Sequence, residues 1–282
     1  PKLPKIAFFT FYIAYIFNHL LFANYEKLFS VKGKVALVTG GSRGIGLMIA
    51  RGYIQAGAKV YISSRNSEVC NEVSDELSKK GECIPIPTDL SNEEGVTLLS
   101  DKIKSFEKKL DILVNNAGKT WGAPLDEYPM KSWEMVMKVN VSSPFQLTKE
   151  LLPVLREAGT KEDPARVINI GSPAGSLSGG LNAYAYNTSK AALHHLTRVL
   201  AKDLAKENIN VNTISPGPFP SKMTEFKVGE KTFLETAGGS TPQGRSGKEQ
   251  DMIATAIFLS GIGSAYITGA LIPLDGGVTL GS

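Results

Sequence analysis

Residues 34–46 read Lys-Val-Ala-Leu-Val-Thr-Gly-Gly-Ser-Arg-Gly-Ile-Gly, and this stretch decides the fold. Its first half, Lys34–Thr39, is short, apolar and rich in β-branched residues, the pattern of a buried strand. Its second half, Gly40-Gly41-Ser42-Arg43-Gly44-Ile45-Gly46, is a glycine-rich turn. The apolar stripe of Leu47–Ala56 then predicts a helix. A side chain at Gly40, Gly44 or Gly46 would hold the backbone away from a ligand, whereas glycine lets it close in. The helix start beyond the turn offers free backbone N–H groups, a natural seat for a pyrophosphate. The spacing is Gly-x-x-x-Gly-x-Gly rather than the commoner Gly-x-Gly-x-x-Gly, so a plain tight turn stays open as the bland alternative.

Outward from this unit the same alternation repeats. Strands are expected at Lys59–Ser63, Glu82–Thr88, Asp111–Val114, Val167–Ile170, Ile209–Ile214 and Ala270–Leu274. Helices are expected at Ser67–Lys80, Ser91–Lys109, Ser132–Glu157, Ala183–Glu207 and Lys248–Ser260. Such alternation implies an α/β fold: a doubly wound parallel sheet of Rossmann type with helices on both faces. Ligands in such sheets bind beyond the carboxyl ends of the strands, where the strand order reverses. The chemistry should therefore lie just after strands.

At 282 residues and 42% hydrophobic content, the chain suits one large catalytic domain over residues 31–282. A net charge of +4 over scattered basic residues argues against a nucleic-acid partner. Cys70 and Cys83 have no paired spacing and no histidine beside them. Neither a disulfide framework nor a metal site is expected, and a reducing, cytoplasmic setting fits best. Residues 1–30 form a separate segment. Its run Ile6–Phe22 is apolar almost all round a helix, about 25 Å long against a hydrocarbon layer of roughly 30 Å. It reads as a short membrane anchor flanked by Lys2 and Lys5, or as a helix packed on its own domain or a partner subunit. No small-residue cleavage site follows, which argues against a signal peptide.

Tyr186-Asn-Thr-Ser-Lys190 places a phenol and an ammonium on one helix face. A phenol normally titrates near about 10. The neighbouring charge is expected to pull that value down, towards the range useful for proton transfer. Alone, the spacing is common on exposed helices. The second strand ends Ser63-Ser64-Arg65-Asn66, where an NAD site would offer a carboxylate to the ribose. Arg65 instead presents a permanently charged fork suited to phosphate, and Arg43 can reach the same region. With the hydroxyl of Ser64 and the amide of Asn66, this points to a 2′-phosphate and so to NADP(H).

Thr39–Gly46, Asn115-Asn116-Ala117-Gly118, Asn140, Ser172, Tyr186-x-x-x-Lys190 and Pro216-Gly217 stand in the order and spacing of the short-chain dehydrogenase/reductase family. The chain resembles that family from about Val31 to Gly277. Within it, the chain looks like the NADPH-dependent carbonyl and 3-oxoacyl reductases. The tract Tyr184–Thr224 is similar to the rhamnolipid-type 3-oxoacyl reductase branch.

The resemblance implies roles residue by residue. Tyr186 would protonate the carbonyl oxygen, Lys190 would tune it and hold the nicotinamide ribose, and Ser172 would hold the substrate oxygen. Asn140 would anchor a water leading protons to Lys190. Tyr184 is a rival acid, but the residue four later is Thr188, which carries no charge to tune it. For the cofactor, Gly40, Ser42, Arg43, Gly44, Ile45 and Gly46 would cradle the phosphates. Asp89-Leu90 would contact the adenine, although Asp89 could equally cap the next helix. Asn116, Ala117 and Gly118 would line the dinucleotide, with Asn115 open to a purely structural role. Pro216-Gly217 would border the nicotinamide, followed by Phe219 and by Ser221, which stands where many relatives carry threonine. Family membership also implies a homodimer or homotetramer.

Substrate identity is less legible. The region Lys222–Gly247 mixes Phe226, Phe233 and Leu234 with Gly238 and Gly239, as expected of a lid over an apolar pocket, and Trp121 could line the same pocket. The expected activity is NADPH-dependent reduction of a small-molecule ketone, keto ester or related carbonyl. The alternative is a 3-oxoacyl thioester reductase. A nucleotide-binding protein without turnover is a distant third.

Overall fold

Seven parallel strands form the centre of the computed structural model, which describes residues 25–178, 182–220 and 230–280, with the backbone alone at 230–234. The strands are β1 (Val35–Thr39), β2 (Lys59–Ser63), β3 (Cys83–Pro85), β4 (Ile112–Asn115), β5 (Ala165–Ile170), β6 (Ile209–Pro216) and β7 (Leu271–Leu274). Their order is β3-β2-β1-β4-β5-β6-β7, every pair parallel. The chain winds outward from β1 to β3, then crosses back to β4. The carboxyl ends of β1 and β4 therefore flank the crevice where a doubly wound sheet takes its ligand.

The helices are α1 (Gly44–Gln55), α2 (Ser67–Ser78), α3 (Glu93–Phe106), α4 (Met130–Met137), α5 (Ser143–Ala158), α6 (Tyr184–Leu204), α7 (Glu230–Gly239) and α8 (Glu249–Ser260). Alternate residues of each strand face opposite sides. Ala36 and Val38 join Ile49, Tyr53, Met252 and Leu259 in one core. Leu37 joins Leu99, Leu113, Leu151 and Val211 in the other. Burial on both faces explains why strands such as β1 and β4 read as nearly continuous apolar runs.

Local departures from expectation have local causes. The first helix begins at Gly44, inside the glycine turn, rather than at Leu47. Strand β3 spans only Cys83–Pro85 instead of Glu82–Thr88, although the Ile86 and Thr88 N–H groups still donate to the Ile62 and Ser64 carbonyl oxygens at 2.8 and 2.9 Å. Pro85 and Pro87 are tolerated because β3 is an edge strand. The helix expected at Ser132–Glu157 is not continuous: α4 passes into a π-helical turn, Lys138–Ser142, before α5. Pro144 has no N–H to give to the Asn140 carbonyl, so the regular ladder cannot run through. The region Lys222–Gly247, expected as a lid, contains a helix, α7, that periodicity did not suggest.

Packing of the domain starts before Val31. The Phe29 ring lies 6.2 Å from that of Phe258, and a Cβ on Gly261 would lie 2.5 Å from the Leu28 carbonyl oxygen. The run Ile6–Phe22, Ser221 and residues 222–229, Phe226 included, lie outside the described residues, as do the side chains of Phe233 and Leu234. Among the described residues, no helix is long and apolar enough to cross a membrane. Cys70 and Cys83 are buried free thiols, and burial pushes both upward in pKa, Cys83 to about 11.

Candidate active site

The glycine turn is built for close approach. Gly40 and Gly44 take φ of +65° and +51°, a region that favours glycine. A Cβ on Gly46 would overlap the Gly40 carbonyl oxygen and the Asn116 side-chain amide. That amide donates to the Thr39 and Gly40 carbonyl oxygens at 2.9 and 3.2 Å. The Thr39 hydroxyl accepts the N–H groups of Asn116 and Ala117 at 2.9 and 3.0 Å. Asn116 and Ala117 thus bolt the β4 turn to the β1 turn. Helix α1 starts with no side-chain cap and no acid in its first turn, which leaves its N–H groups available to an anion. Ser42 is buried and Ile45 half-buried in the same turn. This cradle fits the pyrophosphate of a dinucleotide.

Arg43 and Arg65 are both exposed, and neither has an ion pair among the described residues. Ser64 donates to the Asn66 carbonyl oxygen at 3.3 Å. The Asn66 side-chain oxygen caps α2 by accepting the Val69 N–H at 3.1 Å. Asp89 caps no helix. Its carboxylate accepts the Ser91 N–H at 3.0 Å, while Asn92 caps α3 through the Gly95 N–H at 2.7 Å. Leu90 is buried, and its carbonyl oxygen accepts the Ser143 hydroxyl. At the end of β6, Pro216 is followed by Gly217, whose N–H donates to Leu274 at 3.0 Å. The Phe219 ring is 3% exposed and packed so tightly on Gly247 that a Cβ there would overlap it, so the ring belongs to the core.

Beyond β5, Ser172 opens a short 3-10 turn, Pro173–Gly175, and its hydroxyl accepts the Ala174 N–H at 3.3 Å. Helix α6 faces this turn with Tyr186 and Lys190. The Lys190 ammonium is buried and donates to the Ile170 carbonyl oxygen at 2.6 Å. Burial brings its pKa down to about 8. Burial also pushes the Tyr186 phenol up, and the Ser172 side chain pulls it partly back. The downward pull expected from Lys190 therefore does not prevail here. The ammonium is turned to Ile170 and stands 5.7 Å from the centre of the phenol ring. Tyr184 instead meets Tyr128 edge-on at 5.5 Å, and Tyr128 donates to the Trp121 carbonyl oxygen at 3.3 Å. Trp121 itself is 44% exposed, so it is not a core residue.

Asn140 sits in the π-helical turn with its side chain fully engaged. It donates to the Lys119 carbonyl oxygen and to the Ser189 hydroxyl, each at 2.9 Å, and accepts the Lys119 N–H at 2.8 Å. A water would thus find not this side chain but the Asn140 backbone carbonyl, which Pro144 leaves without its usual donor. Gly118 lies between the two groups: a Cβ there would be 3.6 Å from Asn140 Oδ1 and 3.9 Å from Lys190 Nζ. Asn115 belongs to a buried polar chain beneath the site. It donates to Asn169 at 2.9 Å, Asn169 donates to Thr197 at 2.9 Å, and Thr197 meets Thr213 at 2.8 Å. One residue that motif reading passed over also reaches the site. His194 accepts the Ser172 N–H through Nε2 at 3.4 Å. Its only signal in the sequence is its place four residues beyond Lys190.

A family model described as short chain dehydrogenase matches residues 34–231. The rhamnolipids biosynthesis 3-oxoacyl-[acyl-carrier-protein] reductase of Pseudomonas aeruginosa is 52% identical over 252 residues, which is 89% of this chain and 98% of that protein. Gluconate 5-dehydrogenase of Gluconobacter oxydans is 31% identical over 91% of this chain and 99% of its own length. Among solved structures, an active-site complex of Pseudomonas aeruginosa RhlG with NADP superimposes with a TM-score of 0.86 at 51% identity, covering 90% of this chain and 99% of that one. The glycine cradle, the Tyr186–Lys190 pair and these likenesses agree, and the chain is an oxidoreductase of the short-chain dehydrogenase family.

Proposed function

We propose that this chain reduces the 3-oxo group of an acyl thioester to the 3-hydroxy group, with NADPH as its cofactor. The observation that carries this reading is the convergence of Tyr186, Ser172 and Lys190 at the carboxyl end of β5, beside the Gly40–Gly46 cradle. Reading the residues alone puts a ketone or keto ester first. The 52% identity to the Pseudomonas aeruginosa reductase supports the thioester instead. The cations Arg43 and Arg65, without an ion pair among the described residues, favour a cofactor with a 2′-phosphate.

When bound, NADPH supplies the hydride. Tyr186, held neutral by its raised pKa, gives its proton to the substrate oxygen as negative charge develops there. Ser172 donates a hydrogen bond to the same oxygen. The Lys190 ammonium favours the phenolate left behind, and the Asn140 carbonyl holds a water through which the proton is replaced. Gly118 leaves that path open because it has no side chain to fill it. The exposed Trp121 and the half-buried Tyr128 and Tyr184 supply an apolar wall near the mouth.

A second reading, reduction of a small ketone, draws on the 34% identity to a tropinone reductase homologue of Arabidopsis thaliana over 90% of this chain. NADPH consumption by the purified protein, measured side by side with 3-oxoacyl thioesters and free ketones, separates the two. Assembly as a homo-oligomer is part of the proposal, supported by the exposed apolar side chains Leu98 on α3 and Phe145 on α5. Light scattering tests it, and a monomer at working concentration would contradict it.

A further inference from the structure

The turn that carries Ser172 is held from below by one side chain. Gly171 donates to the Ile214 carbonyl oxygen at 2.7 Å, and Gly175 donates to that of Ser172 at 3.0 Å. The Ser172 N–H goes neither to sheet nor to turn but to His194 Nε2, at 3.4 Å. His194 stands on α6 one turn beyond Lys190 and is 6% exposed. The glycines on either side of Ser172 make room for it. A Cβ on Gly171 would overlap Nε2, and one on Gly175 would lie 2.7 Å from Cε1.

We propose that neutral His194, accepting the Ser172 N–H through Nε2, is a positioning residue that holds the Ser172 hydroxyl and the Ile170 carbonyl in register with α6. The same helix carries Tyr186 and Lys190, so one imidazole ties both sides of the site together. Its neutrality has a physical cause. Burial, and then the charges of Lys190 and Arg198, bring its pKa down to about 4. Acceptance at Nε2 also places the remaining proton on Nδ1. A protonated ring would present a donor to the Ser172 N–H and lose the contact. This inference rests on the proposed role of Ser172 as the group that holds the substrate oxygen.

The test compares two replacements of nearly equal length. His194→Met fills the space without an acceptor, and His194→Gln offers an amide oxygen. Loss of one hydrogen bond at a reacting centre predicts a fall in kcat of about tenfold for His194→Met, with NADPH binding within about twofold of wild type. His194→Gln should recover most of that loss. Wild-type kcat in His194→Met, or equal falls in both variants, would overturn the inference. Ser172→Ala is the control for the reading beneath it: unchanged kcat there would refute the role of Ser172 itself, whatever the His194 variants do. The wild-type protein gives a readout that needs no variant to fold. Imidazole 15N shifts of His194 at neutral pH should show a bare Nε2 and a protonated Nδ1, and the opposite tautomer would overturn the inference.

Discussion

The ammonium of Lys190 lies 5.7 Å from the centre of the Tyr186 ring, yet its hydrogen bond goes to Ile170, at 2.6 Å. In the proposed mechanism it acts on the phenol through space, and only while charged. With its pKa at about 8, it loses that charge as pH rises past about 8, so kcat for reduction should fall there. Stability should move the opposite way. The ordinary value is 10.5, so between about 8 and 10.5 the unfolded chain binds the extra proton, and raising pH then favours the folded state. Melting temperatures of wild type and Lys190→Met across that window isolate the effect. Wild type should gain relative to the variant as pH rises, and a relative loss would contradict the assignment of burial as the cause.

Gly46→Ala tests the cradle. The added methyl would overlap the Gly40 carbonyl oxygen and the Asn116 amide, both anchored by backbone. A cost of about 1–3 kcal/mol is expected from overpacking of this kind. Thermal melting should show it, and titration of NADPH fluorescence should show weakened binding. A variant that melts and binds like wild type would mean that the turn has slack the structure does not contain.

Arg65→Asp tests cofactor choice. Arg65 is exposed and without an ion pair among the described residues, so the replacement disturbs little of the fold. Turning a fork for the 2′-phosphate into a like charge should weaken NADPH by about tenfold or more and leave NADH nearly unchanged. Steady-state kinetics with both cofactors checks this. If the preference stays put, Arg43 carries the selection alone.

Much of this was legible in the sequence because the strands are buried on both faces. Runs such as Val35–Val38 and Ile112–Val114 are apolar throughout because alternate residues enter opposite cores, and their ends then mark where the motifs fall. Pro85 and Pro87 could have marked β3 as an edge strand, and Pro144 could have warned that the long helix breaks at Asn140. Those are local chemical signals. What spacing could not convey is direction. Asn66 stands where a cofactor residue belongs, yet its oxygen caps α2. The Phe219 ring turns into the core, and the Asn140 side chain is wholly engaged by Lys119 and Ser189. His194 carried no motif at all. Its contact with Ser172 exists only because Gly171 and Gly175 let α6 approach.

The most direct test of the account is NADPH oxidation by the purified protein with a 3-oxoacyl thioester, run for wild type and Tyr186→Phe together. Removing one hydroxyl takes away the proton donor and leaves the cradle and both arginines in place. Wild type should turn the thioester over, and the variant should lose at least about a hundredfold in kcat while still binding NADPH. Wild-type turnover of free ketones but not of thioesters would contradict the proposed substrate. Near-normal turnover in a folded Tyr186→Phe protein would contradict the proposed chemistry.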